Sequence, residues 1–172
     1  MTWEFAFLDA LQTIRTPFLD LFFKTITKLG DAGLFWIGLA LLLCIFKKTR
    51  LWGICMLASM AVGALVTNVA LKPLVARERP CWINDTVQLL VTMPKDYSFP
   101  SGHSQCSFAA AMAVFWNDRR WGGLALITAV LIAFSRLYLY VHFPTDVLVG
   151  TVIGLTVGTL MTILIRKSRK FG

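Results

Sequence analysis

LWGICMLASMAVGALVTNVAL, residues 51–71, holds no charged side chain and runs directly into KPLVARERP at 72–80. An α-helix needs about 20 apolar residues to cross a hydrocarbon core of about 30 Å, and this run has that length. Further apolar runs occupy about 32–46, 103–116, 121–140 and 146–165. With 57% hydrophobic residues and a mean hydropathy of +0.69, the chain is too apolar for an ordinary soluble domain. Backbone groups inside a bilayer must be satisfied within the segment, which favours helices. The expected fold is all-α: one membrane domain over 1–172, a polytopic bundle of about five transmembrane helices. The runs at 32–46 and 103–116 are short; polar ends or a locally thinned bilayer accommodate them. A soluble bundle is the alternative that so many long apolar runs disfavour.

Residues 1–30 have a different pattern. Phe7, Leu8, Leu11, Ile14, Phe18, Phe22, Ile26 and Leu29 recur at helical spacing, opposite Asp9, Gln12, Thr13, Arg15, Asp20, Lys24 and Lys28. Thr16 followed by Pro17 suits an N-cap and a first helical position, which predicts two short helices. The segment is expected to be an amphipathic interfacial arm, with Trp3 near the headgroups and 31–172 as the catalytic bundle. A sixth span formed by residues 3–28 is the other reading. Glu4 and Asp9 and the lack of a basic start argue against a secretory signal.

Five spans place KKTR (47–50), NDRR (117–120) and RKSRK (166–170) on one side, with nine of the 17 basic residues and one acid, Asp118. By the positive-inside rule that side is cytoplasmic. The expected location is the inner, or plasma, membrane, with the polar clusters facing the periplasm or the outside. The net charge of +8 is then orientation signal plus candidate site, and no nucleic-acid partner is implied.

Under this topology Lys72, His103, Arg136 and His142 mark four consecutive helix ends on one membrane face. Charges at the margins of apolar helices are expensive, so a cluster of them is a functional hypothesis. Lys72, Arg79 and Arg136 offer fixed positive charge, and guanidinium matches phosphate geometry. Ser101 and Gly102 precede an apolar helix whose N-terminal N–H groups suit an anion. Such a preorganised set favours the charge distribution of phosphoryl transfer. His142 lies four residues before Asp146, with Pro144 in the first turn between them, so the carboxylate can hold one imidazole nitrogen while the other attacks phosphorus. His103, on another helix end, can protonate the leaving oxygen and then activate water.

Lys72 with Arg79-Pro80, then Pro100-Ser101-Gly102-His103, then Ser135-Arg136 with His142 and Asp146, together resemble the three-part signature of the type 2 phosphatidic acid phosphatases, the membrane lipid phosphate phosphatases. The resemblance implies a metal-independent hydrolase with His142 as nucleophile, Asp146 as its partner and His103 as acid. It assigns phosphate binding to Lys72, Arg79, Ser101, Gly102 and Arg136. Small size and outward orientation favour undecaprenyl diphosphate as substrate. Phosphatidylglycerophosphate or phosphatidic acid is the alternative, and a lipid-linked phosphotransferase or a non-catalytic lipid transporter the rivals from other classes. Many relatives have glycine two residues before the nucleophilic histidine. Tyr140 stands there in this chain, where it can narrow the pocket or supply a hydroxyl.

The partners are thus a lipid substrate and the bilayer, and the sequence sets no oligomeric state. No cofactor is expected, and three cations beside the histidines and Asp146 oppose a divalent metal. Arg77 can contact phosphate or pair with Glu78 or Asp85, and Lys95 and Asp96 read as solvated loop charges. Tyr97 and Phe99 read as interfacial aromatics ahead of entrance residues. Thr67 and Asn68 are expected to hydrogen-bond a neighbouring helix, and Gly150, Gly154 and Gly158 to form a close-packing stripe. Cys44, Cys55 and Cys106 are expected to be apolar fillers. Cys81 is also expected to be a free thiol, Cys106 being its nearest candidate for a disulfide.

Overall fold

The computed structural model describes residues 2–168, so Arg169 and Lys170 of the basic tail lie outside the described residues. Every regular element among them is helical: α1 (Trp3–Thr13), α2 (Pro17–Lys28), a 3₁₀ turn (Asp31–Gly33), α3 (Leu34–Ile45), α4 (Arg50–Ala64), a π-helical segment (Leu65–Leu71), α5 (Lys72–Val75), α6 (Pro80–Ile83), α7 (Gly102–Asn117), α8 (Arg119–Tyr138) and α9 (Pro144–Ser168). The caps follow the sequence. Thr16 Oγ1 accepts from the Leu19 N–H at 3.2 Å and Pro17 opens α2. Asp118 accepts from the N–H groups of Arg120 and Trp121 at 2.9 and 3.0 Å, which starts α8.

α7 forms the axis, packed against α4, α8 and α9. Its alanines 109, 110, 111 and 113 are wholly buried. The glycine stripe of α9 lies along it: a Cβ on Gly150, Gly154 or Gly158 would sit 2.5, 2.5 and 2.7 Å from the carbonyl oxygens of Ser101, Gln105 and Ala109. Close backbone approach through small residues is what membrane helices use for packing. No disulfide forms among the described residues, and Cys44, Cys81 and Cys106 are free thiols.

Three stretches are long and apolar enough to cross a membrane: Arg50–Ile83, Arg119–Tyr138 and Pro144–Ser168. Pro17–Lys28 and Asp31–Ile45 make a fourth if taken as one span bent by 44°. The protein is therefore a multi-pass membrane protein. α7 has 16 residues, about 24 Å at 1.5 Å per residue. Being enclosed by three other helices, it does not face lipid along its length.

The N-terminal arm packs onto the end of α8, while Trp3, Phe18 and Leu21 stay exposed. Leu8 and Phe23 are buried against Leu137, Tyr138, Leu139, Tyr140 and Val141 at the end of α8. Its polar face is spent on protein: Gln12 Nε2 donates to the Tyr138 carbonyl at 3.1 Å, and the hydroxyls of Tyr138 and Tyr140 donate to Asp20 and Asp9 at 2.6 and 2.7 Å. An amphipathic pattern records that one face is polar, not that water meets it. The two basic turns and α9's end share the far end of the bundle. Lys48, Thr49 and Asp118 line one cavity there, and Arg166 donates to the Trp116 carbonyl at 2.6 Å.

Candidate active site

A cavity of about 740 Å³ opens at the opposite end, lined among others by Lys72, Arg79, Gly102, His103, Arg136 and His142. The four helix ends singled out by sequence thus converge. The π-helical segment delivers Lys72, and such turns are frequent at functional sites.

His142 sits in the turn between α8 and α9 and is 1% exposed. Its Nδ1 lies 3.5 Å from Asp146 Oδ2 and its Nε2 3.0 Å from Arg79 Nη1. A guanidinium only donates, so Nε2 must accept and Nδ1 carries the proton, which it directs toward Asp146. Burial, reinforced by the charges of Arg79 and Arg136, holds the imidazole pKa well below its ordinary value. The ring is therefore neutral, with its Nε2 lone pair accepting from Arg79.

Asp146 is fully buried and saturated. Oδ2 accepts from the Phe143 N–H at 2.8 Å and from the Ser98 hydroxyl, and Oδ1 accepts from Arg77 Nη1 at 2.7 Å. Arg77 also donates to Glu4 Oε2 at 2.6 Å and to Thr145 Oγ1 at 2.7 Å, and its guanidinium lies 4.0 Å from the Phe143 ring centroid. Sequence reading offered Arg77 a phosphate or Glu78 and Asp85 as partners. The fold instead puts α1 beside the turn before α9, and Glu4 becomes the counter-charge.

Arg79 is buried, with Nε on the Asp96 carbonyl at 2.7 Å, Nη1 on the Val141 carbonyl at 2.7 Å and Nη2 on Asp96 Oδ1 at 2.8 Å. Lys72 pairs with the other Asp96 oxygen. Asp96 thus stays about half exposed but is paired with two cations. Burial alone would raise its pKa, but the hydrogen bonds and charges of Lys72 and Arg79 bring it down to about 2. Lys95 remains exposed, and neither Tyr97 nor Phe99 lines the cavity.

Arg136 Nη1 donates to Thr27 Oγ1 at 2.5 Å, while its Nε is buried with no hydrogen-bond partner among the described residues. An unpaired buried donor is costly, and an anion in the cavity is the partner such a group suits.

At the start of α7 the predicted pair divides. Ser101 caps the helix, its hydroxyl accepting from the Ser104 N–H at 3.4 Å, while its own N–H donates to the Asp146 carbonyl at 3.0 Å. It is fully buried and does not line the cavity, because capping and bracing α9 occupy it. Gly102 and His103 do line it, and their N–H groups belong to the first turn, which lacks intrahelical partners. His103 Nε2 lies 3.0 Å from Asp31 Oδ1. Behind them Thr67 Oγ1 is buried with no partner among the described residues, contrary to its expected interhelical bond.

Tyr140 has φ 60°, in the left-handed region that favours glycine. Its hydroxyl meets Asp9 and accepts from Asn84 Nδ2 at 3.2 Å, so the side chain braces α1 and does not narrow the cavity.

Among the described residues, no group of three or more His, Cys, Asp or Glu side chains is placed to hold a metal ion. A neutral buried imidazole, a saturated carboxylate behind it and three cations before it are set at one end of the polytopic bundle. The chain belongs to the PAP2 superfamily, which its residues 52–170 match. An undecaprenyl-diphosphatase of Sulfolobus acidocaldarius is 37% identical over 120 residues, 69% of this chain and 58% of that protein, so the chain spans little more than half of that relative's length. A decaprenylphosphoryl-5-phosphoribose phosphatase of Mycobacterium tuberculosis is 30% identical over 164 residues, 92% of this chain and 88% of that protein. The crystal structure of a transmembrane PAP2 type phosphatidylglycerolphosphate phosphatase from Bacillus subtilis is similar with a TM-score of 0.78 and 30% identity, over 94% of this chain and 84% of that one.

Proposed function

We propose that this protein removes the terminal phosphate of a polyprenyl diphosphate through a phosphohistidine at His142. The observation that carries the reading is the His142 imidazole, buried and neutral between Asp146 and Arg79 at the wall of a cationic cavity. Nε2 attacks the terminal phosphorus, and the bond from phosphorus to the bridging oxygen breaks. Lys72, Arg79, Arg136 and the N–H groups at Gly102 and His103 hold the equatorial oxygens. His103 gives its proton to the leaving lipid monophosphate. Water, losing a proton to His103, then attacks phosphorus, the N–P bond breaks and inorganic phosphate leaves.

Two observations favour a polyprenyl diphosphate. Both relatives described above are named for polyprenyl-linked substrates, the Sulfolobus one for a diphosphate and the Mycobacterium one for a phosphosugar. The cavity also continues past the three cations to Lys24 and Lys28 on α2, which offer charge to a second phosphate. The name of the Bacillus subtilis neighbour supports phosphatidylglycerophosphate as the second reading. We place the cavity on the outer face of the plasma membrane, since the basic turns occupy the other end.

The test is phosphate release by the purified protein, with chelator present, from polyprenyl diphosphate, phosphatidylglycerophosphate and phosphatidic acid. A kcat/KM at least tenfold higher for the diphosphate, unaffected by chelator, is the expected result. Preference for a glycerophospholipid would overturn the substrate reading, and abolition by chelator the metal-independent chemistry.

A further inference from the structure

Between α2 and α3 the chain reads Gly30-Asp31-Ala32-Gly33, and this turn is pressed onto the start of α7 at two points one helical turn apart. A Cβ on Gly30 would sit 2.5 Å from His103 Cδ2 and 2.8 Å from Ile132 Cγ2, and one on Gly33 2.9 Å from Cys106 Sγ. Ala32 and Gly33 both have left-handed backbone, at φ 49° and 68°. Left-handed alanine is disfavoured and persists only where surrounding structure imposes it. The consequence of this geometry is the position of one carboxylate: Asp31 Oδ1 stands 3.0 Å from His103 Nε2. Asp31 is 57% exposed at its side chain while His103 is 20% exposed, so the carboxylate keeps its own hydration as it reaches the ring.

We propose that Asp31 is the positioning residue of the acid–base histidine, resting on the reading of His103 as the group that protonates the leaving oxygen. Asp31 accepts from Nε2–H, fixes the ring's rotation and tautomer, and leaves the other nitrogen to exchange the proton with substrate and then with water. The site then holds two carboxylate–imidazole pairs, Asp146 with His142 for attack and Asp31 with His103 for proton transfer. Outer partners of this kind set tautomer and orientation in other histidine sites. The second pair is supplied by the turn that joins the N-terminal arm to the bundle, so the arm completes the catalytic apparatus as well as bracing it.

Leaving-group dependence separates this role from a structural one, because proton donation matters for a poor leaving group and little for a good one. Rates of phosphoenzyme formation are measured in single turnover for a long-chain alkyl phosphate and for 4-nitrophenyl phosphate, in wild type, Asp31→Asn, Asp31→Glu, His103→Ala and the Asp31→Asn/His103→Ala double variant. Asp31→Asn is expected to slow the alkyl ester about 10–100-fold, the range for outer partners of functional histidines, and the nitrophenyl ester less than about threefold. Asp31→Glu recovers part of the loss, and Asp31→Asn adds nothing to His103→Ala. Equal losses on both esters, or additive losses in the double variant, would overturn the proposal. If His103→Ala itself shows no leaving-group dependence, the reading of His103 fails and takes the proposal with it. If His103→Ala shows that dependence and Asp31→Asn does not, the proposal alone fails.

Discussion

Replacing Arg77 by methionine separates a residue that supports the carboxylate from one that binds phosphate. Its guanidinium bridges Asp146 Oδ1 at 2.7 Å and Glu4 Oε2 at 2.6 Å, and hydrogen bonds to charged groups contribute about 1.5–3 kcal/mol each. Arg77→Met leaves Asp146, wholly buried, with the Ser98 hydroxyl and the Phe143 N–H on its other oxygen. Removing one member of a buried pair destabilises by about 3–5 kcal/mol. The Arg77 side chain keeps 28% exposure, so water reaches the gap and the lower end of that range applies. At about 2–4 °C per kcal/mol for a chain of this size, the midpoint of thermal unfolding in detergent falls by about 6–12 °C. Arg77 does not line the cavity. The kinetic effect is therefore on kcat, about tenfold lower through a loosened Asp146, with KM within about twofold of wild type. Glu4→Gln combined with Arg77→Met should cost less than the sum of the single changes, since both act on one network. A tenfold rise in KM and in the inhibition constant for inorganic phosphate, with unfolding unchanged, would refute the reasoning and make Arg77 a phosphate ligand.

Other changes test neighbouring parts of the site. Asp96 occupies the cations Lys72 and Arg79 and is 55% exposed at its side chain, so the competition it offers is discounted to about 1 kcal/mol; Asp96→Asn should tighten inorganic phosphate binding about fivefold by inhibition assay, and weaker binding would contradict this. The same carboxyl has a folded pKa of about 2, below its ordinary 3.8, so its stabilisation is present above pH 4 and is lost as pH falls through 2; the stability gap between wild type and Asp96→Asn should close over that interval. Because burial and Arg79 hold His142 well below the ordinary imidazole value of 6.5, kcat/KM, corrected for the substrate's own ionisation, should not fall as pH is lowered through 6.5. Tyr140→Gly relieves about 1 kcal/mol of left-handed strain but empties a fully buried site, a loss of about 3–5 kcal/mol; a lower unfolding midpoint is expected, and a raised one would mean that strain dominates.

The bundle and the face on which its polar ends meet were legible because apolar length and helix-end charge are local properties of the chain. Lys72, Arg79, Gly102, His103, Arg136 and His142 line the cavity for that reason. What sequence could not supply were partners set by packing. Glu4 and Arg77 are far apart in the chain, and nothing near either names the other. The cap chemistry of Ser101 was visible, yet its consequence, that the hydroxyl and the N–H are both taken, depends on where the turn before α9 lies. Asp96 sits in a polar loop, half exposed, and its pairing with two cations depends on the fold. The partners of the arm's polar face were likewise set by packing. Asp9, Gln12 and Asp20 face tyrosines and backbone of the 138–140 segment, where the pattern only required something polar. Position 140 carried a usable signal, since the glycine that the family resemblance implies there suits left-handed backbone, and φ 60° at Tyr140 is that geometry.

The central claim is that phosphate passes through His142, and trapping the intermediate tests it most directly. Protein quenched during turnover of a lipid diphosphate labelled with ³²P at its terminal phosphate should carry an acid-labile, base-stable label on the peptide containing His142. Asp146→Asn should lower the amount and His142→Ala abolish it together with phosphate release. Turnover that persists in His142→Ala, or label recovered on a different residue, would contradict the account.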